Sequence, residues 1–207
     1  MRKIFVDMDC TLVTSDLRHD MEIAAAMRFG ISPQEFQSAH DEFHLIYGIG
    51  NFTYERLYLC CLRVKPGLNP ELVDEWHEIV ATPMLYPDAL AFLDSFPKEE
   101  LVLLTAGERY NQNLKIEANN LRDKFSKIII AESPKAVVLE NPPADSFFLD
   151  DSPREIDAMK ERHPHVFCVQ MHEPAPWERQ RISARKDAYA IDLMAAAEII
   201  KNKIRLS

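Results

Sequence analysis

The chain has 207 residues, 47% hydrophobic and 28% charged, a composition typical of a globular protein with one substantial core and room for a smaller module. Lys and Arg total 24 against 33 for Asp and Glu, so the formal net charge is −9 and we expect no nucleic-acid partner. No stretch approaches the roughly 20 apolar residues of a membrane span, so we expect no membrane partner either.

The first informative segment is a short apolar run that ends in two acids. Ile4–Val6 predicts a buried strand, and Asp7 and Asp9 follow it directly. Ligands of open α/β sheets bind just beyond the carboxyl ends of the strands. Two neighbouring carboxylates repel each other unless a cation shares them. The segment therefore indicates a metal-assisted site; the alternative is a solvated turn.

The long interval after this strand, residues 15–84, has helical signals throughout. Ser32-Pro33-Gln34-Glu35 is typical of a capping box with proline at the first helical position. The predicted helices are 16–29, 33–47, 52–64 and 70–81. Because loops inside compact domains are short, this interval predicts a helical module of its own, inserted into a core domain of 1–14 and 85–207.

Apolar runs recur in the rest of the chain, most of them separated by helical segments. They are Leu101–Leu104, Ile128–Ile130, Phe147–Leu149 and Val166–Val169. Such alternation favours a parallel sheet with helices on both faces. The predicted fold class is therefore α/β, a Rossmann-like parallel sheet core with an inserted all-helical module.

The second predicted strand is followed by Thr105-Ala106-Gly107-Glu108. The Thr105 hydroxyl can donate to a phosphate oxygen, and Gly107 allows the backbone to approach a ligand closely. The alternative is that Thr105 caps the next helix and Glu108 completes a capping box.

The third predicted strand is followed by Ser133-Pro134-Lys135, which predicts a helix start with Ser133 as its cap. The helix dipole disfavours a cation near this end, so Lys135 needs an explanation. A bound phosphate would provide one, and a side chain in solvent is the alternative. Lys127, just before the strand, is the second candidate for a phosphate-facing lysine.

The fourth predicted strand ends in Asp150 and Asp151. Ser152 through Glu155 forms another capping box, so both acids lie at the start of a helix, where the dipole stabilises negative charge. Two adjacent acids after a buried strand again indicate a bound cation.

Together these segments resemble a known superfamily. Asp7-Met8-Asp9-Cys10-Thr11-Leu12 resembles the Asp-x-Asp-x-Thr-Leu motif of the haloacid dehalogenase (HAD) superfamily, most of whose members are phosphatases. Thr105, Lys135 and the Asp150–Asp151 pair follow in the order of its other three motifs. The resemblance covers roughly residues 1–13 and 85–200, and the inserted helical segment is similar to the helical cap of many such phosphatases.

The resemblance implies roles for these residues. Asp7 would be the nucleophile that forms an aspartyl-phosphate, and Asp9 would be the general acid and base. Thr105 would hold the transferring phosphoryl group, and Lys135 would neutralise it. The implied Mg²⁺ ligands are Asp7, Asp9 (through its carbonyl), Asp150 and Asp151. The implied substrate-binding residues are Thr11, Thr105, Ala106, Gly107 and Lys135.

The expected function is a Mg²⁺-dependent phosphatase that hydrolyses a small phosphorylated metabolite. An acid at position 9 favours a phosphatase over a dehalogenase of the superfamily, because halide leaves without protonation. A phosphomutase remains an alternative, as does an inactive domain that binds a phosphorylated ligand or a protein partner.

We expect residues of the helical segment to select the substrate. Candidates for substrate selection are the polar and aromatic residues Arg18, His19, Arg28, His44, Tyr47, Tyr54 and Arg56 of the helical segment. His40 and His44 have the spacing of a zinc-binding pair, but we expect a surface or packing role for them. The four cysteines show no paired spacing, which favours free thiols and a cytoplasmic location.

Overall fold

The computed structural model of the protein describes residues 2–14, 16–48, 52–132, 134–172 and 181–206. The chain divides into two compact units. The first comprises Met1–Ser15, Met84–Ala106 and Asn120–Ser207, and the second comprises Asp16–Pro83 and Gly107–Asn119. No helix among the described residues is both long enough and apolar enough to cross a membrane.

The first unit is built on one sheet, which has six strands within the described residues. They are β1 (Ile4–Val6), β2 (Leu101–Ala106), β3 (Lys127–Ala131), β4 (Phe147–Asp150), β5 (Phe167–Met171) and β6 (Ala188–Ala190). The order across the sheet is β3-β2-β1-β4-β5-β6, and every pairing is parallel. The predicted α/β fold with a parallel sheet is confirmed. Its carboxyl edge brings the ends of β1, β2 and β4 side by side.

The central strands are apolar on both faces because both faces are covered. Phe5, Val102 and Phe148 belong to one buried cluster with Ile156 and Met159 of a covering helix. The residues next to them in each strand are buried as well and, by strand alternation, point to the opposite face. The helices of this unit are α5 (Ala89–Leu93), α7 (Lys135–Val138), α8 (Pro153–Arg162) and α9 (Leu193–Arg205).

The second unit is helical. It contains α1 (Asp16–Arg28), α2 (Pro33–Tyr47), α3 (Tyr54–Val64), α4 (Glu71–Val80) and α6 (Arg109–Ala118). The predicted capping box at the start of α2 is present: Glu35 N donates to Ser32 Oγ, and Ser32 N donates to the Glu35 carboxylate. The core of this helical unit includes the fully buried Phe43 and Trp76.

Two features of the fold differ from the sequence analysis. Residues 107–119 were assigned to the core domain, but they group with the helical unit, where α6 contacts α4 and the Tyr110 ring lies 5.2 Å from that of His77. The edge strand β6 was not predicted. Ala188-Tyr189-Ala190 is short and only partly buried, so it lacks the apolar run that marks the inner strands.

Candidate active site

Three carboxylates meet at the carboxyl edge of the sheet. Asp7 follows β1, Asp150 ends β4 and Asp151 comes next; because Val6 lies opposite Leu149 in these adjacent parallel strands, the acids emerge together. One carboxylate oxygen of each acid lies within 4.8 Å of those of the other two. Asp7, Asp150 and Asp151 are 4%, 0% and 4% exposed, so this is a buried anionic cluster.

A lysine lies among these acids. Lys135, the first residue of α7, has its Nζ 2.6 Å from Asp7 Oδ1 and 2.7 Å from Asp150 Oδ2. Its backbone N–H donates to Glu155 Oε2 at 2.9 Å. Lys127 is exposed and is the first residue of β3, where it is in register with Val102, so it lies at the end of the sheet away from the acids. Lys135 is therefore the lysine at the carboxylate cluster. Ser133, the expected cap of this helix, lies outside the described residues.

The electrostatics of the cluster follow from burial. Burial raises the pKa of Asp7 to about 7, although Lys135 lowers it, and the charge of Asp150 adds to the rise. Burial likewise raises the pKa of Asp150 to about 6, although Lys135 lowers it. Burial alone would lower the pKa of Lys135, but the charges of Asp150 and Asp7 raise it above its usual value. The lysine is therefore the stable cation of the site.

A donor set of this kind suits a hard divalent cation. Three ionised carboxylates and one lysine leave two uncompensated negative charges in a buried space, which is costly. Carboxylate oxygens are the ligands that Mg²⁺ prefers. Asp7, Asp150 and Asp151 therefore fit a Mg²⁺ site by number, charge and chemistry.

The loop after β1 is tightly closed. The Met8 carbonyl accepts from the N–H groups of Leu12 and Val13, both at 2.9 Å, and Cys10 N donates to Val13 O at 2.8 Å. The turn requires a left-handed backbone at Cys10, with φ of 57°. Asp9 is less buried than Asp7 and lies outside the three-carboxylate cluster of the described residues, although its charge contributes to the raised pKa of Asp7.

Thr11 carries a buried hydroxyl. The side chain is 1% exposed, and its Oγ1 has no hydrogen-bond partner among the residues that the structure describes. An unpaired buried hydroxyl costs free energy, so such a group often serves a ligand. The family resemblance implies that Thr11 is a substrate-binding residue.

The end of β2 places Thr105 and Ala106 at the same edge of the sheet as Asp7. Thr105 is buried. The alternative that Thr105 caps α6 is wrong: Glu108 is the cap residue, and its carboxylate accepts from Tyr110 N and Asn111 N, both at 2.8 Å.

Gly107, next along the chain, belongs to the helical unit. Its φ is 144°, a conformation that favours glycine, and an added Cβ would lie 2.9 Å from Gln112 Nε2. The backbone therefore requires glycine at this position, independently of any ligand.

Three residues that support the cluster, Glu155, Ser152 and Gln170, are not among the predicted site residues. Glu155 was expected only to complete a capping box, but its carboxylate accepts from Lys135 N and so fixes the start of α7. Ser152 N donates to Asp150 Oδ1 at 2.9 Å, and Ser152 Oγ accepts from Glu155 N. Gln170 of β5 donates to the backbone carbonyl of Asp151 at 3.3 Å. A polar residue inside an apolar strand was the only signal in the sequence for Gln170.

The candidates for substrate selection lie in the helical unit: Arg18, His19, Arg28, His44, Tyr47, Tyr54 and Arg56. Tyr54 is buried and donates to the Glu22 carboxylate, and Arg28 pairs with Glu75, so both have structural roles. The rings of His40 and His44 lie 4.5 Å apart, but neither belongs to a potential metal-binding group among the described side chains.

Comparison with known proteins identifies solved structures with this fold. No known family profile matches the sequence, and no curated protein is significantly similar to it. Solved structures do match over the whole chain. A haloacid dehalogenase-like hydrolase of Burkholderia xenovorans is 18% identical, with a TM-score of 0.78 and 98% of both chains covered.

Two further solved structures match nearly the whole chain. The HAD-hydrolase YfnB of Bacillus subtilis, solved bound to magnesium, is 13% identical (TM-score 0.67; 96% of this chain and 98% of that chain covered). The L-2-haloacid dehalogenase of Xanthobacter autotrophicus is 16% identical (TM-score 0.67; 97% and 99% covered). The chain therefore has the fold of the haloacid dehalogenase-like hydrolases, as its strand-end motifs predicted.

Proposed function

We propose that the protein is a Mg²⁺-dependent phosphatase that hydrolyses a small phosphorylated metabolite through an aspartyl-phosphate intermediate. The observation that carries the proposal is the buried group of Asp7, Asp150 and Asp151 around Lys135. Such a site holds a nucleophilic carboxylate beside groups that attract both a divalent cation and a phosphoryl group.

Asp7 and Asp151 would hold Mg²⁺ together with the backbone carbonyl of Asp9, and Asp150 would act directly or through water. When bound, the cation would supply positive charge that offsets the repulsion between a carboxylate and a phosphate dianion. A buried cluster of acids and the magnesium-bound YfnB structure of the same fold support this assignment.

In the proposed reaction, two acids of the chain carry both chemical steps. A carboxylate oxygen of Asp7 attacks phosphorus while the P–O bond to the alcohol breaks, and Asp9 donates its proton to the departing oxygen. Asp9, now ionised, accepts a proton from water as the water attacks the aspartyl-phosphate. Phosphate is released and Asp7 is restored.

Other groups would position the phosphoryl group during these steps. Lys135 lowers the pKa of Asp7 against the larger effect of burial, and it offsets the charge of the phosphoryl oxygens. The hydroxyls of Thr11 and Thr105 would donate to those oxygens, and the backbone at Ala106 would contact them.

A second candidate is haloacid dehalogenation, because structures of this fold include L-2-haloacid dehalogenases. In that reaction Asp7 would attack carbon and displace halide, which needs no proton. Two features of this chain favour the phosphatase. Asp9 provides a proton that a halide does not require, and three carboxylates provide a cation site that halide displacement does not require.

The test compares two products from the same enzyme. Phosphate release from p-nitrophenyl phosphate is measured with and without Mg²⁺, and halide release from 2-chloropropionate is measured in parallel. Wild type is compared with Asp7→Asn and with Asp94→Asn, a control whose acid forms an exposed ion pair with Lys124.

We expect Mg²⁺-dependent phosphate release in wild type and Asp94→Asn, and its loss in Asp7→Asn, because an amide cannot form the intermediate. Halide release without phosphate release from this ester or from a panel of phosphorylated metabolites would overturn the proposal in favour of a dehalogenase. Full activity of Asp7→Asn would overturn the nucleophile assignment.

A further inference from the structure

Gln170 is an exception within its strand. It lies in β5 between Val169 and Met171, is 1% exposed, and is paired in register with Asp150 of β4. The inner strands of a parallel sheet are normally apolar because both faces are buried. A buried amide has to satisfy its donors and acceptor within the protein, so its partners indicate what it does.

The amide of Gln170 joins two segments. Its Nε2 donates to the backbone carbonyl of Asp151 and to that of Arg181, each at 3.3 Å. Its Oε1 accepts from the backbone N–H of Ser183 at 2.9 Å. The Gln170 side chain therefore connects Asp151 of the carboxylate cluster to Arg181 and Ser183, which precede β6 in the chain.

Arg181 and Ser183 are themselves bound to Asp157 of α8. Ser183 Oγ donates to Asp157 Oδ1 at 2.5 Å, and Arg181 forms an ion pair with the same carboxylate. Ser183 Oγ also accepts from Arg185 N at 3.0 Å. Asp157 belongs to α8, which starts two residues after Asp151. Gln170 therefore links Asp151 to a firmly anchored segment.

We propose that Gln170 is a positioning residue that holds Asp151 for divalent-cation binding and thereby sets the affinity of the site for Mg²⁺. This rests on the metal site of the proposed function. Asp151 follows the last residue of β4, and the buried Gln170 amide donates a hydrogen bond to its backbone carbonyl. Groups that orient metal ligands typically change metal affinity by 10–100-fold when they are removed.

The test measures Mg²⁺ binding directly, by calorimetric titration without substrate. Gln170→Met keeps the length and removes all three hydrogen bonds, whereas Ser183→Ala is the matched control. It removes the contacts of Ser183 Oγ with Asp157 and Arg185 but keeps the backbone bond to Gln170. Both variants loosen the same segment, and only the first releases Asp151.

We expect the Mg²⁺ dissociation constant to rise about tenfold in Gln170→Met and to stay within about twofold of wild type in Ser183→Ala. If Gln170→Met does not fold, Gln170→Asn replaces it, because its shorter amide cannot span both segments. Unchanged Mg²⁺ affinity in the folded variant, or equal weakening in Ser183→Ala, would overturn the assignment.

The experiment separates this inference from the proposed function. If wild type binds Mg²⁺ but releases no phosphate from any ester tested, the phosphatase proposal fails, and the comparison of Mg²⁺ affinities still decides the role of Gln170. If the activity is present, the Mg²⁺ concentration for half-activation should rise in Gln170→Met, with kcat at saturating Mg²⁺ close to that of wild type.

Discussion

Lys135 Nζ lies 2.6 Å from Asp7 Oδ1, in a site where both side chains are 5% exposed. Removing one side chain of such a buried ion pair is strongly destabilising, because the remaining buried charge then has no partner. Here one ammonium serves Asp7 and Asp150 together, and the three-carboxylate cluster still carries excess negative charge. This geometry predicts strong coupling between the lysine, the bound cation and the stability of the first unit.

Replacement of Lys135 by Met should destabilise the metal-free protein by about 3 kcal/mol at pH 8, because buried carboxylates lose their counter-charge. Urea unfolding measures this loss, and Mg²⁺ should restore part of it by binding to the folded state. Lys127→Met, at an exposed position of β3, serves as the control and should change stability by less than about 0.5 kcal/mol. Equal losses of unfolding free energy in the two variants would show that Lys135 is not the counter-charge that stabilises the buried carboxylates.

Replacement of Asp9 by Asn should separate the two halves of the proposed reaction. Nitrophenolate leaves without protonation, so the variant should still form the aspartyl-phosphate from p-nitrophenyl phosphate. It should hydrolyse that intermediate about 10²–10⁴-fold more slowly, because the base that activates water is missing. A rapid-mixing experiment should therefore show a burst of nitrophenolate equal to the enzyme concentration.

Two comparisons control this experiment. Asp7→Asn should show no burst, since it lacks the nucleophile. An alkyl phosphate should give no burst with Asp9→Asn, because its leaving group needs the proton. Steady turnover by Asp9→Asn at the wild-type rate would show that another group carries the proton.

The sequence was sufficient for the arrangement of the core because the relevant signals are local. Apolar runs mark β1, β2 and β4, and the acids after β1 and β4 meet because these parallel strands are neighbours, which the fold shows. The position of Lys135 at the start of a helix was equally visible, although only the fold shows that its side chain contacts Asp7 rather than solvent.

The remaining features depend on contacts between distant segments, which no local pattern records. Gln170 contacts Asp151 because β5 lies beside β4, and Glu155 binds Lys135 N although its spacing from Ser152 predicted a capping box. Residues 107–119 group with the helical unit through the packing of α6 on α4.

Gly107→Ala should be more costly than an alanine at another glycine of positive φ. Gly107 has φ of 144°, and an added Cβ would lie 2.9 Å from Gln112 Nε2 and 3.1 Å from its Cδ. Gly67 has φ of 84° and open space around the same position. We expect a loss of about 1 kcal/mol for Gly67→Ala and about 2–3 kcal/mol for Gly107→Ala in urea unfolding. Equal losses would show that Gln112 moves aside without cost.

The histidines of the helical unit predict a pH dependence of stability. Burial lowers the pKa of His40 to about 4, and the charges of His44 and His19 add to this, against the opposing charges of Glu22 and Asp41. Between pH 6.5 and pH 4 the unfolded chain binds a proton at His40 that the folded chain does not bind. The stability that this histidine contributes is therefore complete above pH 6.5 and is lost as the pH falls to about 4.

His40→Gln should remove this dependence, because glutamine does not titrate. The free energy of unfolding between pH 7 and pH 4.5 should then fall about 2 kcal/mol less in the variant than in wild type. Parallel curves for wild type and His40→Gln, measured by urea unfolding at each pH, would show that His40 is protonated alike in the folded and unfolded chains.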